Sequence, residues 1–324
     1  MMYDDSALRF SYLDQLYNSN NIIDIVKFYK ELRNVNEALE WVRRRPRAEP
    51  RIYEVPGDTE IVVIVPTADH NGIYAKNIRE IFRGFHIVFV ESSGPYFSYS
   101  YSCNVGFKYA LKSYRPTWFI LSNDDMLMGD PPEKLRQELS TINHRNVATV
   151  FTNPPGVYHS YPAYLVRFKR LYGIIYSLYI STSCKCSVPN LYKKFNIKYG
   201  AGVFVKGSFF DKVRSTIALS RANVQKIRKY LLIGSFGIFS RYFVEKHGGE
   251  VFDTNYLVSR EDFDLSIRIT EEGEKYDFIN YNIKDMIGKT LGKGTLRSLK
   301  SLIDEIILNY KVINGLLTKV INYH

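Results

Sequence analysis

The chain has 324 residues, of which 45% are hydrophobic and 24% charged, and it contains 26 Tyr and 20 Phe. This length and apolar content suffice for one large or two ordinary globular domains, and they exclude a disordered or fibrous chain. The 44 Lys and Arg against 33 Asp and Glu give a net charge of +11, which favours anionic partners: nucleotide sugars, anionic lipid head groups or nucleic acid.

Cysteine usage and hydropathy predict a cytoplasmic protein, either free or attached to a membrane surface. Cys103, Cys184 and Cys186 are too few for a disulfide framework, and no second Cys or His pair completes a zinc site with Cys184-Lys-Cys186. We therefore expect reduced thiols. The chain opens without a secretory signal, and no stretch reaches the roughly 18 uninterrupted apolar residues of a membrane span. The nearest stretch, Leu171 to Ile180, is too short.

Residues 1 to about 50 have apolar residues near helical spacing and are predicted to be helical. Strands and helices then alternate, which indicates a parallel sheet with helical crossovers. Each predicted strand ends in polar residues suited to binding. The strands are Glu60 to Val65, His86 to Val90 and Trp118 to Leu121, and the helices are Asn77 to Phe82 and Tyr101 to Lys112.

The second half is predicted less regularly. A helix begins at Pro131-Pro132, a strand covers Val147 to Phe151, and the Tyr-rich segment from Pro154 to Lys198 receives no assignment. Tyr199 to Lys206 is predicted as a tight turn into a strand, residues 208 to 247 as mostly helical, and Glu261 to Glu272 as a helix closed by Gly273.

The last thirty residues have a clear helical period, with apolar residues from Leu296 to Ile321 mainly on one face and basic residues beside them. Such a helix could lie on an anionic membrane surface, or it could pack on the rest of the protein or on a second subunit. Packing is the expectation that we favour.

Two acidic clusters stand out. Asn123-Asp124-Asp125 follows a buried strand, at the edge where open α/β sheets bind ligands, and carboxylates there suit a divalent metal and a diphosphate. Glu261-Asp262 begins a predicted helix and could supply a proton acceptor. Both pairs could instead be acids favoured by a helix N-terminus. Asp264 and Arg268 have the spacing of an ordinary helical ion pair.

In order and position, these motifs resemble the GT-A glycosyltransferases, in particular the inverting family 2. The resemblance covers roughly residues 60 to 292. It implies an α/β fold of the GT-A type, a Rossmann-like mixed sheet flanked by helices, with helical N-terminal and C-terminal extensions. The elements that carry it are the strand ending in Pro66-Thr67, the strand ending in Glu91, the helix with Asn104-Val-Gly106, the Asn-Asp-Asp and Gly-Ala-Gly motifs, and Glu-Asp-Phe-Asp-Leu-Ser-Ile-Arg268.

The resemblance implies a role for each matching residue. Asp125, and with less support Asp124, would bind manganese or magnesium in a DxD-like motif. Asp262 would be the general base, with Glu261 contacting the acceptor or orienting the base. The nucleotide sugar, most often a UDP-sugar in this family, would contact Pro66, Thr67, Asp69, Glu91, Asn104, Asn123, Asp124, Gly200, Ala201 and Gly202.

Two positions depart from the family pattern. Cys103 stands where many relatives have an Arg that contacts phosphate or base. Asp285 stands at about the place of a frequent His, where an Asp could still ligate a metal or the loop could have another role. The segments 154 to 198 and 208 to 247 resemble an insertion that shapes the acceptor site. Their aromatic residues suit a glycan or lipid-linked acceptor, and a protein acceptor is a further alternative.

These observations predict a helical extension (1–58), a catalytic domain with a nucleotide-binding half (59–130) and an acceptor half (131–294), and a C-terminal helix (295–324). Three rival functions remain. A nucleic-acid-binding protein would cluster its Lys and Arg, which here are spread along the chain. A sugar-phosphate nucleotidyltransferase would want a Gly-rich signature that Pro66 to Gly72 lacks. A non-catalytic nucleotide-sugar-binding module would explain the two departures.

Overall fold

The computed structural model describes residues 5–152, 161–168, 170–203, 229–286 and 294–316. Within these ranges the helices are α1 (Asp5–Asn18), α2 (Ile22–Glu31), α3 (Val35–Arg44), α4 (Ile73–Ile81), α5 (Tyr99–Ser113), α6 (Pro132–Ser140), α7 (Arg170–Cys184), α8 (Leu191–Lys194), α9 (Arg241–Lys246), α10 (Glu261–Glu271), α11 (Thr295–Lys300) and α12 (Leu302–Ile313). The strands are β1 (Arg51–Val55), β2 (Asp58–Thr67), β3 (Phe85–Glu91), β4 (Trp118–Ser122), β5 (Met126–Met128), β6 (Thr149–Thr152), β7 (Tyr161–Arg167), β8 (Tyr199–Val203), β9 (Lys229–Leu232), β10 (Phe236–Ser240), β11 (Tyr276–Ile279) and β12 (Ile283–Asp285).

A seven-stranded mixed sheet forms the centre of the molecule, in the order β1-β3-β2-β4-β10-β6-β11. Strands β2, β3 and β4 are parallel, β10 is antiparallel to β4 and β6, and β11 is parallel to β6. Five strands therefore run in one direction, and β1 and β10 run in the other. Two smaller sheets, β12-β5 and β8-β7-β9, lie outside it. The expected Rossmann-like mixed sheet flanked by helices is confirmed.

Strands β2, β3 and β4 form because their β-branched and aromatic residues are buried on both faces of the sheet. Val63 and Ile87 belong to the cluster that includes apolar residues of α4 and α6. On the other face, Ile64 and Val88 pack with residues of α5, α9 and α10. Gly106 lets α5 approach the sheet closely, since a Cβ there would lie 2.4 Å from Ile64 Cγ2. The strands and crossover helices predicted in the first half are confirmed.

The N-terminal and C-terminal helices share one apolar core. Phe28 and Trp41, from α2 and α3, lie in the same buried cluster as Ile303 and Ile306 of α12 and residues of α10. The Tyr29 hydroxyl donates a hydrogen bond of 2.7 Å to the Leu299 carbonyl. Of the two roles expected for the C-terminal helix, packing is the one adopted by residues 302–308, whose apolar side chains are buried. Residues 317–324 of the predicted helix lie outside the described residues.

The helical prediction for residues 208 to 247 is wrong over residues 229–240. This stretch forms β9 and β10, while α9 follows and residues 208–228 lie outside the described part. Strand β10 fills the gap between β4 and β6, where Phe236, Ile238 and Phe239 are buried. Pairing on both sides and burial outweigh the weak local preference. The expected turn at Tyr199 is likewise the start of β8, and residues 204–206 lie outside the described ranges.

The expectation of reduced thiols is also wrong, because Cys184 and Cys186 form a disulfide, while Cys103 is free and buried. Cys184 ends α7, and Lys185 adopts a left-handed φ of 51°, which turns the chain so that the two sulfur atoms meet. Across the described ranges, no helix has both the length and the apolar character needed to cross a membrane.

Candidate active site

Polar side chains gather where β2, β3 and β4 end. Thr67 ends β2 in register with Glu91 at the end of β3, and Pro66 lies opposite Val90. The Thr67 hydroxyl donates a hydrogen bond of 2.7 Å to Asp124 Oδ2, which ties the loop after β4 to the end of β2. Burial raises the pKa of Asp124, and the Thr67 hydrogen bond partly offsets this. A cation beside this carboxylate would favour its charged form.

Asp125 lies beside a second buried acid. Strands β5 and β12 pair antiparallel, with Asp285 opposite Met126, and the Asp125 carbonyl accepts a hydrogen bond of 3.0 Å from Met286 N–H. Asp125 is 4% exposed and Asp285 8%. The backbone around Asp285 therefore lies next to the Asn-Asp-Asp motif. Carboxylate oxygens are ligands that a hard divalent cation prefers.

A third group of donors lies around Glu91. Ligand atoms of Asp69, His70 and Glu91 all lie within 4.8 Å of one another, an arrangement that could hold a metal ion. Glu91 Oε2 accepts a hydrogen bond of 2.9 Å from His70 N–H and lies 2.6 Å from His70 Nδ1. These two contacts hold the pKa of Glu91 below its usual range. The His70 ring also stacks on Tyr53 with a centroid distance of 3.5 Å.

Tyr99 connects the two acidic clusters. It is the first residue of α5, and its hydroxyl donates a hydrogen bond of 2.9 Å to Asn123 Oδ1. Burial raises the pKa of Tyr99 well above its usual value, and Cys103, Glu261 and Asp262 raise it further. Tyr99 therefore contacts the Asn-Asp-Asp motif and lies near the start of α10, although the two segments are far apart in sequence.

Glu261 and Asp262 begin α10, and both are partly exposed. Arg260 precedes them with a left-handed φ of 78°, a conformation that costs a non-glycine residue about 1–3 kcal/mol. Burial, and then the charge of Asp262, raise the pKa of Glu261 to about 8. Burial also raises the pKa of Asp262, while the charge of Arg260 lowers it. Near neutral pH, Glu261 therefore keeps its proton and Asp262 is the better candidate for the charged group.

Helix α12 forms hydrogen bonds with residues 257–260, the segment just before Glu261 and Asp262. The Asp304 carboxylate accepts hydrogen bonds of 2.8, 3.0 and 2.9 Å from the backbone N–H groups of Leu257, Val258 and Ser259. Arg260 Nε donates a hydrogen bond of 2.8 Å to Glu305 Oε1. Burial raises the pKa of Asp304 to about 7 although the three N–H donors lower it. These contacts stabilise the strained Arg260 and fix the start of α10.

The Gly-Ala-Gly motif lies on β8, which α12 also holds. Asn309 Oδ1 accepts hydrogen bonds of 2.7 Å from Lys198 N–H and Tyr199 N–H, and Asn309 Nδ2 donates to the Tyr199 carbonyl. A Cβ at Gly200 would lie 2.2 Å from Phe168 Cζ, so the aromatic ring uses the space that glycine leaves. Strand β8 continues through Ala201 and Gly202, which pair with β7.

Asn104 is buried, and both polar atoms of its side-chain amide form hydrogen bonds with the backbone. Its Nδ2 donates a hydrogen bond of 2.8 Å to the Phe252 carbonyl, and its Oδ1 accepts one of 2.9 Å from Phe252 N–H. Asn104, a nucleotide contact according to the resemblance, thus positions the segment before α10.

The predicted ion pair between Asp264 and Arg268 is confirmed, with Nε and Oδ2 3.6 Å apart, and it is buried. Lys311 of α12 joins it, with Nζ 2.6 Å from Asp264 Oδ1 and 3.0 Å from Asp253 Oδ2. Two cations and two carboxylates therefore form a buried network of ion pairs. The sequence predicted only the Asp264–Arg268 pair of this network.

Sequence reasoning missed Tyr99, Asp304 and Glu305. Tyr99 carried no signal beyond its place two residues before the predicted helix. Asp304 and Glu305 did carry one, since these two adjacent acids interrupt a run of residues, 302 to 308, whose other members are Leu and Ile. Buried acids are costly without partners, so such a pair indicates a polar contact within the fold.

No family model matches the sequence, and no curated protein is significantly similar to it. Among solved structures, the chain is similar to a mannosyltransferase from Pyrobaculum calidifontis in complex with GDP-Man and Mn2+. The similarity covers 95% of this chain and 84% of that chain, at 11% sequence identity and a TM-score of 0.37.

Proposed function

We propose that the protein is a glycosyltransferase that moves a sugar from a nucleotide diphosphate sugar to an acceptor hydroxyl, with inversion at the anomeric carbon. The observation that carries this proposal is the convergence of the two acidic clusters on Tyr99, which contacts Asn123 and lies within the electrostatic reach of Glu261 and Asp262. One cluster has the chemistry to hold a metal and a diphosphate, and the other has the chemistry to accept a proton.

The donor side of the site is the carboxyl edge of β2, β3 and β4. Pro66, Thr67, Asp69 and Glu91 face the nucleoside in this proposal, and Asn123 and Asp124 the diphosphate. Support comes from the Thr67–Asp124 hydrogen bond, which brings the ends of β2 and β4 together. UDP is the nucleotide that the resemblance favours.

In this proposal a divalent metal, manganese or magnesium, binds Asp125 and Asp124, and Asp285 is a further candidate oxygen donor. Burial of Asp124 and the backbone pairing of β5 with β12 support this assignment. The carboxylates of these three residues would have to move together on metal binding, because they do not form a group of ligand atoms within 4.8 Å in the structure. When bound, the metal would neutralise charge on the diphosphate leaving group. Asp69, His70 and Glu91 are the alternative metal site. If Glu91→Gln abolishes the metal requirement and Asp125→Ala leaves it intact, the alternative is correct.

The acceptor side is formed by the start of α10. Asp262 accepts the proton of the acceptor hydroxyl as the hydroxyl oxygen attacks the anomeric carbon, and the sugar–phosphate bond breaks with its electrons going to the diphosphate. Glu261, which keeps its proton near neutral pH, donates a hydrogen bond to the acceptor or to Asp262. Gly200, Ala201 and Gly202 of β8 would contact the acceptor or the donor sugar through the backbone.

We also propose that residues 59–294 form the catalytic domain, with a nucleotide-binding half (59–130) and an acceptor half (131–294), and that 295–324 and the helices of 1–58 are extensions packed on it. The expected helical extension 1–58 is wrong over residues 51–55, because they form β1, an edge strand of the central sheet. The acceptor would be a glycan, a lipid-linked group or a protein.

The test is nucleotide release from a panel of UDP-, GDP- and TDP-sugars with manganese, magnesium or EDTA, for the native chain, Asp125→Ala and Asp262→Ala. We expect slow hydrolysis of one donor that requires a metal and both carboxylates. Absence of turnover with every donor and metal would contradict the proposal, and donor binding without turnover would identify a non-catalytic module.

A further inference from the structure

The outer face of α7 is apolar and exposed. Leu171, Ile174, Ile175 and Leu178 recur at intervals of three and four residues and are 56%, 47%, 51% and 61% exposed. A surface helix of a globular protein ordinarily turns such residues towards the core. Contiguous exposed apolar residues of this kind mark a contact surface.

The opposite face of α7 is the one that packs on the protein. Ile180 is fully buried, and the Ser177 hydroxyl donates hydrogen bonds of 2.9 Å to the Gly173 carbonyl and 3.0 Å to the Pro189 carbonyl. Gly173 lies against Tyr192, since a Cβ there would come 2.6 Å from Tyr192 Cβ. Rotating the helix to bury its Leu and Ile residues would break these contacts, so the outward direction of the apolar face is fixed by the fold.

The stretch of sequence that contains α7 is strongly basic. Between Leu139 and Phe210 the chain has no Asp or Glu. Arg167 and Lys185, one on each side of α7, are both exposed. The stretch contains nine basic residues, which are Arg145, Arg167, Lys169, Arg170, Lys185, Lys193, Lys194, Lys198 and Lys206. An apolar helical face in a stretch of chain that has basic but no acidic residues is complementary to an anionic lipid surface.

We propose that the α7 surface, formed by Leu171, Ile174, Ile175 and Leu178, binds to an anionic lipid bilayer, with the exposed Arg167 before the helix and Lys185 after it. With 15 residues the helix is about 22 Å long, too short to span the hydrocarbon core, so it lies in the plane of the interface. Two other partners fit this surface less well. In a dimer formed through α7, basic residues of one copy would face basic residues of the other. Nucleic acid would pair with the basic residues but would leave the Leu and Ile side chains without an apolar partner.

The position of α7 also bears on the acceptor, a point that rests on the proposed function. Phe168, just before α7, covers Gly200 of β8 and stacks on Tyr172 of α7 with a centroid distance of 4.4 Å. A bilayer at α7 therefore adjoins the strand assigned to the acceptor side. A lipid-linked acceptor, presented at the bilayer surface, is the acceptor class that this arrangement favours.

The test is co-sedimentation of the full chain with vesicles of phosphatidylcholine alone or of an equimolar mixture with phosphatidylglycerol. The variants are Leu178→Asp and, as a milder change, Ile174→Ser. Leu8→Asp is the matched control, because Leu8 is 67% exposed on α1. We expect the native chain and Leu8→Asp to bind the anionic vesicles about tenfold more tightly than the neutral ones, and Leu178→Asp to lose about tenfold in affinity. Ile174→Ser should lose less.

The inference would be overturned if the native chain did not bind anionic vesicles. It would also be overturned if Leu178→Asp and Ile174→Ser bound these vesicles as tightly as the native chain. A native dimer that dissociates in Leu178→Asp, without vesicle binding, would instead make α7 a subunit interface. Thermal melting establishes that each variant is folded. Vesicle binding needs no donor, and donor hydrolysis is measured without vesicles, so failure of the proposed function is distinguished from failure of this inference.

Discussion

Glu261 and Asp262 are neighbours in sequence, yet their surroundings give them different proton affinities. Burial raises the pKa of both. The charge of Asp262 raises the pKa of Glu261 further, whereas Arg260 lowers the pKa of both residues and is the largest opposing cause at Asp262. Two adjacent carboxyl groups in one partly enclosed site cannot both ionise easily. The pair therefore separates into a charged group suited to accept a proton and a neutral group suited to donate a hydrogen bond.

This difference predicts unequal effects of two conservative substitutions. We expect Asp262→Asn to lower the rate of donor turnover by at least about 100-fold, because the proton acceptor is lost. Glu261→Gln keeps a neutral hydrogen-bonding side chain and should retain turnover within about fivefold at pH 7. Steady-state rates with the best donor measure both. Equal losses in the two variants would show that the pair does not divide the roles in this way.

The raised pKa of Glu261 predicts a pH effect on donor binding. As pH rises through about 8, Glu261 loses its proton and adds a second negative charge beside Asp262. An anionic donor is then repelled, so its KM should increase above that pH in the native chain. In Glu261→Gln no such charge forms, and KM should stay level over the same range. A rise of equal size in the variant would rule out Glu261 as its source.

At the scale of elements, α12 is the helix that assembles the acceptor side. Asp304 holds three successive backbone N–H groups before α10, and Asn309 holds the start of β8. These contacts join segments at least 45 residues apart in sequence. The helix thus contributes to the site without containing a residue that we assign to the chemistry.

Asp304→Asn should separate this positioning role from catalysis. The amide retains one acceptor oxygen and brings an NH2 group against backbone N–H donors, so we expect a loss of about 1–3 kcal/mol in the free energy of unfolding. Turnover at a temperature where the variant is folded should also fall, because the start of α10 is displaced. Urea unfolding and steady-state rates test this. Asp277→Asn, an exposed change on β11, is the control and should alter neither.

Elements were predicted well where local pattern and final environment agree. The buried runs of β2, β3 and β4 identified both the strands and the polar positions at their ends. Strand β10 was mistaken for helix because its place between β4 and β6 depends on pairing with residues more than 80 positions away. The roles of Tyr99 and Asp304 were missed for the same reason, since each depends on a partner that only the folded chain brings near.

On the scale of the whole molecule, a buried charged group joins α12 to α10 and to the segment before it. Lys311 lies between Asp253 and Asp264, with Arg268 beside Asp264, and Lys311 is fully buried. The group is nearly neutral in sum, so its members stabilise one another, but the removal of one would leave an unpaired charge in the interior.

Lys311→Met tests this dependence. The apolar side chain fills a similar volume but leaves two carboxylates facing a single cation, so we expect a loss of about 3–5 kcal/mol in the free energy of unfolding. Lys112→Met, an exposed change on α5, should have little effect. Denaturant unfolding of the native chain and both variants gives the comparison. A Lys311→Met variant as stable as the native chain would mean that the buried carboxyl groups are protonated.

The central claim is that two acidic clusters, distant in sequence, form one site in which binding and chemistry are divided between them. Calorimetric titration with UDP, GDP and TDP in the presence of manganese, combined with turnover of the matching sugar donor, tests it most directly. We expect Asp125→Ala to weaken nucleotide binding by at least about tenfold, and Asp262→Asn to leave binding within about twofold while lowering turnover by at least about 100-fold. Nucleotide binding that is independent of metal and equal in Asp125→Ala and the native chain would contradict the account.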